Sequence, residues 1–289
     1  MSKADDVEKG LMVMFTADMH TTFPSAIAPP VDGRLSANWS VLGYLTALDA
    51  IFRPRQQMGQ GSEVCYGVLA RSLADPTQHV VAIRGTQGIT EWIEDAQFVS
   101  INHPGGQGRV EGGFWNIYAS MKFKVDDKDD GVPAKDGIAA AVGPAGTVTV
   151  AGHSLGSALA TYLAFDLAGA GLLGARTSAC LFASPHPGDS TFVNAFDAVL
   201  SGRYVLYNYF LDAVPRVPFG PDYAHLPNVT DIRPSDAEAR IRFELACNHH
   251  IVCYCAMLDF AETDATPKIA IDQSCVTCIK GPSGVIDPA

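Results

Sequence analysis

One pentapeptide constrains this chain more than any other feature. Gly152-His153-Ser154-Leu155-Gly156 stands between an apolar run, residues 147–151, and a stretch rich in Ala and Leu. A strand that turns this sharply into a helix needs glycines on both sides of the serine, because side chains there would collide with neighbouring backbone. The same turn thrusts the serine up at the helix N-terminus, where unpaired N–H groups and the helix dipole favour a developing oxyanion. The plainer reading of the pentapeptide is a small-residue turn with an N-capping serine. A strand before it and a helix after it favour a nucleophile elbow.

The rest of the chain supplies a matching frame. Residues 64–70 and 80–83 read as strands, the second ending at Arg84-Gly85-Thr86. Strand 148–151, helix 154–167, strand 179–183, helix 191–200 and strand 204–210 then follow in alternation. Such alternation predicts a mostly parallel sheet with helices on both faces, whose chemistry sits at the carboxyl ends of the strands. Residues 39–52 are predicted as an amphipathic helix, from Val41, Leu42, Leu45, Leu48 and Phe52. A further helix is predicted from Gly112 through Trp115, Tyr118 and Met121 to the charged loop at 126–130. No internal repeat appears, and Pro/Gly-rich stretches read as surface loops, so residues 1–289 are expected to form one domain.

Composition excludes several classes of partner. Hydrophobic residues at 47% and charged residues at 18% describe a globular chain rather than a disordered one. Twenty basic against 31 acidic residues give a net charge of -11, which repels phosphate backbones, so nucleic acid is not an expected partner. No apolar stretch reaches the roughly 18 residues of a membrane helix. Residues 11–15 are too short for a signal-peptide core and follow Asp5, Asp6 and Glu8. No Sec-type signal is therefore expected, and location stays open between the cytoplasm and secretion without a cleaved N-terminal signal. Seven cysteines cannot all pair within one chain, which leans towards a reducing compartment. Cys275 and Cys278 form a lone CxxC, and Cys247 stands near His249 and His250. A zinc site would need a second well-spaced pair, so buried thiols or a tail disulfide are the plainer expectation and no metal is assigned.

A serine hydroxyl needs a base and an orienting acid, which in this kind of fold follow as Ser, then Asp or Glu, then His. Among the later acids (Asp166, Asp189, Asp197, Asp212, Asp222, Asp231, Asp236), Asp212 is best placed, just past strand 204–210 and before a loop stopped by Pro215 and Pro218. Four histidines follow the serine: His186, His225, His249 and His250. The first two lie in proline-flanked loops, and the adjacent His249 and His250 cannot both face Ser154.

Taken together these motifs resemble the class 3, fungal-type triacylglycerol lipases of the α/β-hydrolase superfamily. The likeness runs over about residues 39–260 and leaves 261–289 as a C-terminal extension. It is carried by Val81-Ala82-Ile83-Arg84-Gly85-Thr86, Trp92-Ile93-Glu94-Asp95, the Gly-His-Ser-Leu-Gly elbow, Ser184-Pro185-His186-Pro187-Gly188 and Asp212-Ala213-Val214-Pro215-Arg216-Val217-Pro218. The resemblance implies Ser154 as nucleophile, Asp212 as triad acid, and the N–H groups of Thr86 and Leu155 as the oxyanion hole. Members of that family often place the base five residues before a tyrosine, so the resemblance implies His249, five before Tyr254, as base, with His250 as the alternative. The chain departs from the pattern at Glu111, where histidine is common, at Ala183, where glycine is usual, and at Asp189, where asparagine is common.

The expected activity is hydrolysis of acylglycerol esters through an acyl-enzyme, without metal or organic cofactor. A phospholipase or a short-chain or aryl esterase on the same fold is the alternative, and a non-catalytic lipid- or partner-binding protein the remote one. Residues 89–98 are expected to form an amphipathic lid helix acting at a lipid–water interface: Ile89, Trp92, Ile93 and Ala96 repeat at helical spacing, with Glu91, Glu94 and Asp95 on other faces. Ordinary core packing is the competing reading of that stripe. Oligomeric state is not set by the sequence.

Overall fold

The computed structural model describes residues 2–49, 62–86, 98–169, 171–265, 279–281 and 284–285. The main sheet takes β1 (Trp39–Leu48), β2 (Glu63–Ser72), β3 (Gln78–Ile83), β6 (Lys122–Lys124), β7 (Val132–Pro133), β8 (Thr147–His153), β9 (Thr177–Phe182), β10 (Tyr204–Tyr209) and β11 (Val229–Ile232). The strands between these, β4 (Ser100–Asn102) and β5 (Arg109–Glu111), pair with each other in a separate ribbon. Across the main sheet the order is β11-β10-β9-β8-β3-β2-β1-β6-β7. The run from β3 to β11 is parallel, and β2, β1, β6 and β7 extend it antiparallel.

Strand alternation divides the interior into two cores. Val81 and Ile83 of β3, Val148 and Val150 of β8, and Ala179 and Leu181 of β9 face one of them. Val80 and Ala82, Ala151, and Cys180 and Phe182 face the other. Helices Gly112–Ala119, Leu155–Ala168 and Ser190–Leu200 cover the first face through Phe114, Leu159 and Phe196. The second face is covered by Lys3–Thr22 and Ile251–Leu258 through Leu11, Phe15, Tyr254 and Leu258. This is the α/β-hydrolase arrangement.

Three elements differ from the sequence reading. Residues 39–48 form a strand, not a helix. Register shifts between Val41 and Gly43 and between Leu45 and Thr46 interrupt the period-two pattern, so the apolar residues fall at spacings that imitate a helix. The helix from Gly112 stops at Ala119, and Lys122–Lys124 turns back to pair with β1. The N-terminal helix Lys3–Thr22 was not anticipated. Ser2 and Asp5 close a capping box at its start, and its apolar side is spent on the sheet.

Candidate active site

The strand ends bring the predicted residues to one edge of the sheet. Ser154 follows β8 directly, Gly85 and Thr86 follow β3, and Asp212 lies three residues past β10. Ser154 has φ 59° and ψ -132°, a left-handed conformation that costs a non-glycine residue about 1–3 kcal/mol and persists only where the surroundings enforce it. Here they do. A Cβ on Gly152 would strike the Gly156 carbonyl, and one on Gly156 would strike the carbonyls of Ile83 and Arg84, so elbow and β3 meet backbone to backbone. Ser154 N–H donates to Phe182 O at 3.0 Å. Ser157 Oγ lies 2.8 Å from the carbonyl oxygens of Gly152 and Phe182 and accepts the Phe182 N–H at 3.0 Å. That hydroxyl locks the turn to β9, a role the sequence reading missed.

Asp212 and His249 come together from opposite sides of a 37-residue separation. His249 Nδ1 is 2.8 Å from Asp212 Oδ2. A carboxylate accepts only, so Nδ1 carries the proton and Nε2 is left as an acceptor. The Tyr254 hydroxyl also donates to Asp212 Oδ2, at 2.7 Å, and accepts the Tyr209 N–H at 2.9 Å. Val214 N–H donates to Oδ1 at 2.9 Å. Asp212 is 1% exposed, so these three donors take the place of water around its charge. Tyr254 served the sequence reading only as a spacing mark; its hydroxyl is a structural partner of the acid. His250, the alternative base, turns away and caps the next helix, accepting the Val252 N–H on its side chain.

Ser154 Oγ and His249 Nε2 are two of ten buried side-chain atoms that have no hydrogen-bond partner among the described residues, and they are the two that belong to the predicted nucleophile and base. Buried polar groups are normally paired, so an unpaired hydroxyl and an unpaired imidazole nitrogen call for an explanation in chemistry. Leu155 opens the helix Leu155–Ala168, so its N–H has no intrahelical acceptor. Gly85 passes close over the serine: a Cβ there would lie 2.9 Å from Ser154 Cβ. The segment after β3 that carries Thr86 is held by the buried Arg84, whose Nε donates to Cys65 O at 2.9 Å and whose Nη1 donates to Gly85 O at 2.8 Å. Thr86 is half-buried. The predicted lid residues Ile89, Trp92 and Ile93 lie outside the described residues.

The departures from the family pattern have local explanations. Glu111 is buried and caps the helix Gly112–Ala119, accepting the Phe114 N–H at 2.7 Å and the Val99 N–H at 3.2 Å; burial pushes its carboxyl above the usual range. Ala183 has φ 50°, the conformation for which glycine is the easier residue. Asp189 caps the helix Ser190–Leu200 through the Phe192 N–H, as asparagine would. His186, in the adjoining loop, stands 2.8 Å from Pro218 O and 3.0 Å from His225 Nδ1, and burial holds it down to about 4. Cys65, Cys180, Cys253 and Cys255 are buried free thiols, whereas Cys247 is disulfide-bonded and so has no thiolate to offer a metal. No helix among the described residues is long and apolar enough to cross a membrane.

Known proteins resemble this chain in sequence and in fold. The lipase (class 3) family model matches residues 80–221. Phospholipase A1-II 6 of Oryza sativa subsp. japonica is 33% identical over 170 residues, covering 50% of this chain and 41% of the rice protein. Secreted mono- and diacylglycerol lipase A of Penicillium cyclopium is 30% identical over 167 residues, covering 54% and 51% respectively. The chain thus spans about half the length of the curated relatives it matches. Among solved structures, M37 lipase superposes with a TM-score of 0.62 over 90% of this chain and 91% of its own, at 14% identity. The Rhizomucor miehei triacylglyceride lipase gives 0.57 over 79% of each chain, at 19% identity. Likeness at that identity establishes the fold.

Proposed function

Residues 80–221 belong to the class 3 lipases, and from that premise we propose that the protein hydrolyses acylglycerol esters with Ser154 as nucleophile, His249 as base and Asp212 as the acid that orients it. The observation that carries this reading is the pair of unpartnered buried atoms, Ser154 Oγ and His249 Nε2, with His249 Nδ1 already committed to Asp212. His249 takes the hydroxyl proton as Ser154 Oγ attacks the ester carbonyl. The tetrahedral oxyanion is received by the N–H groups of Thr86 and Leu155, at about 3–4 kcal/mol of transition-state stabilisation for each donor. Collapse returns the proton from His249 to the departing alkoxide and leaves an acyl-enzyme on Ser154. Water, deprotonated by the same imidazole, then releases the fatty acid. Asp212 stays ionised throughout and stabilises the imidazolium.

The rice relative named as a phospholipase A1 supports a second substrate reading, since the same triad cleaves any accessible carboxylic ester. Fatty-acid release by the purified protein from emulsified diacylglycerol, from phosphatidylcholine and from soluble p-nitrophenyl esters, with Ser154→Ala as the blank, separates the two. Acylglycerol cleavage that vanishes in the variant is expected. Faster release from phosphatidylcholine hands the substrate to the phospholipase reading, and undiminished release by Ser154→Ala overturns the mechanism. The proposed site of action is a lipid–water interface, supported by the Ile89, Trp92 and Ile93 stripe of the sequence. Activity should then climb once a partly soluble ester passes its solubility limit, and Trp92→Ala should blunt that climb. A smooth saturation curve unchanged by the substitution would contradict it.

A further inference from the structure

His153, the residue before the serine in the Gly-His-Ser-Leu-Gly turn, takes no part in the chemistry just described, yet it reaches from the elbow to the short helix that ends at the base. Its Nε2 lies 2.6 Å from the backbone carbonyl oxygen of His249, across 96 residues of sequence. A carbonyl accepts only, so Nε2 carries the proton and donates. The acceptor is otherwise exposed to frustration. His249 is the last residue of the five-residue helix Leu245–His249, and carbonyls in the last turn of a helix have no intrahelical partner. The His153 ring also packs on the His249 ring with centroids 4.6 Å apart and on the Tyr254 ring at 6.1 Å. One side chain therefore touches the backbone and ring of His249 and the ring of Tyr254, while its own backbone leads directly into Ser154.

We infer that His153 is a positioning residue that fixes His249 against Ser154 by donating its Nε2 proton to the His249 carbonyl. The inference rests on the reading of His249 as the base. Two bonds hold that residue: Asp212 orients the imidazole through Nδ1, and His153 anchors the main chain from which the imidazole hangs. Either bond alone leaves the ring able to swing. With both, Nε2 keeps its distance from Ser154 as the proton moves to it and then on to the leaving group. Burial, with the adjoining His249 and His250 adding to it, holds the His153 imidazole far below the ordinary histidine range. His153 is then neutral when His249 becomes an imidazolium, and no second cation opposes that charge.

The test follows the reach of the donor. Glutamine carries its amide nitrogen where the histidine Nε2 lies, asparagine carries it where Nδ1 lies, and leucine fills the space without a donor. On a soluble p-nitrophenyl ester, His153→Gln should keep kcat within about tenfold of wild type. His153→Asn and His153→Leu should each lose roughly 10²-fold in kcat, as a small misplacement of a catalytic group does, with KM little changed. A second readout is independent of turnover. The low-field proton resonance of the His249 Nδ1–H, identified by its loss in His249→Ala, should be sharp in wild type and His153→Gln and displaced or broadened in the other two. If His153→Leu does not fold, the Gln and Asn variants with this resonance still decide the matter. Wild-type turnover in a folded His153→Leu variant, or equal losses in folded Gln and Asn variants, would overturn the inference. A wild-type protein that turns over no ester while the resonance still follows donor reach would sink the hydrolase reading and leave the anchor standing.

Discussion

The elbow around Ser154 and the segments that carry Asp212 and His249 are joined through the His153 bond to the His249 carbonyl but are built by different forces. Ser154 is placed by steric exclusion: glycines at 152 and 156 admit backbone where no side chain fits, and the serine takes a strained conformation that its surroundings permit no escape from. Asp212 and His249 are placed by hydrogen bonds, with Tyr254, Val214 and His153 converging on a residue just past a strand and on the last residue of a five-residue helix. Steric placement fails through folding, whereas hydrogen-bonded placement fails through geometry. Substitutions in the two regions should therefore leave different signatures.

The largest effect belongs to the elbow itself. Ser154→Ala should remain folded and lose on the order of 10⁶-fold in kcat, measured on a soluble ester against protein of confirmed circular dichroism. On the other side, Asp212→Asn keeps the shape but offers His249 a different partner, and should cost on the order of 10⁴-fold in kcat. Tyr254→Phe removes one of three donors to that carboxylate and orphans the Tyr209 N–H. A charge-assisted bond worth about 1.5–3 kcal/mol corresponds to roughly 10- to 10²-fold in kcat. Equal activity in Tyr254→Phe would mean that the segments carrying Asp212 and His249 are held by packing alone, erasing the contrast with the elbow.

How far each region can be read from sequence follows the same division. Exclusion leaves its mark locally: the glycines flanking Ser154, and the short apolar runs of β3, β8 and β9, are all visible in short windows of sequence. Hydrogen bonds between distant residues leave no such mark. Asp212 was singled out by its place after a strand, but its bonds to His249 and Tyr254 span 37 and 42 residues, and the His153 bond spans 96. β1 was misread for a third reason, since its two register shifts hide a strand behind helical spacing. The helix Lys3–Thr22 went unseen because its buried polar residues dilute the apolar stripe: Asp6 accepts from the Tyr207 hydroxyl at 2.8 Å, and Thr16 Oγ1 donates to Met12 O at 2.9 Å.

Smaller effects sharpen the contrast. Gly156→Ala presses a methyl on the Ile83 and Arg84 carbonyls, so it should lower the melting temperature, as overpacking costing about 1–3 kcal/mol does. The activity of each correctly folded molecule, counted by active-site titration, should fall less than the yield. The smallest effect concerns acid. His186 is held down to about 4, against an ordinary value of 6.5, chiefly by burial. The unfolded chain binds its proton first, so folded stability is complete above about 6.5 and declines as pH falls towards 4. His186→Gln should flatten the fall of melting temperature across that window, and an unchanged slope would place the acid sensitivity elsewhere.

The central claim, that Ser154 is a nucleophile activated by His249 and Asp212, is tested most directly by the rate and position of labelling with a fluorophosphonate. The account predicts a single stoichiometric adduct on the peptide bearing Ser154, formed at near wild-type rate in His250→Ala and several orders of magnitude more slowly in His249→Ala. An adduct on any other residue, or labelling of Ser154 that proceeds undiminished without His249, would contradict it.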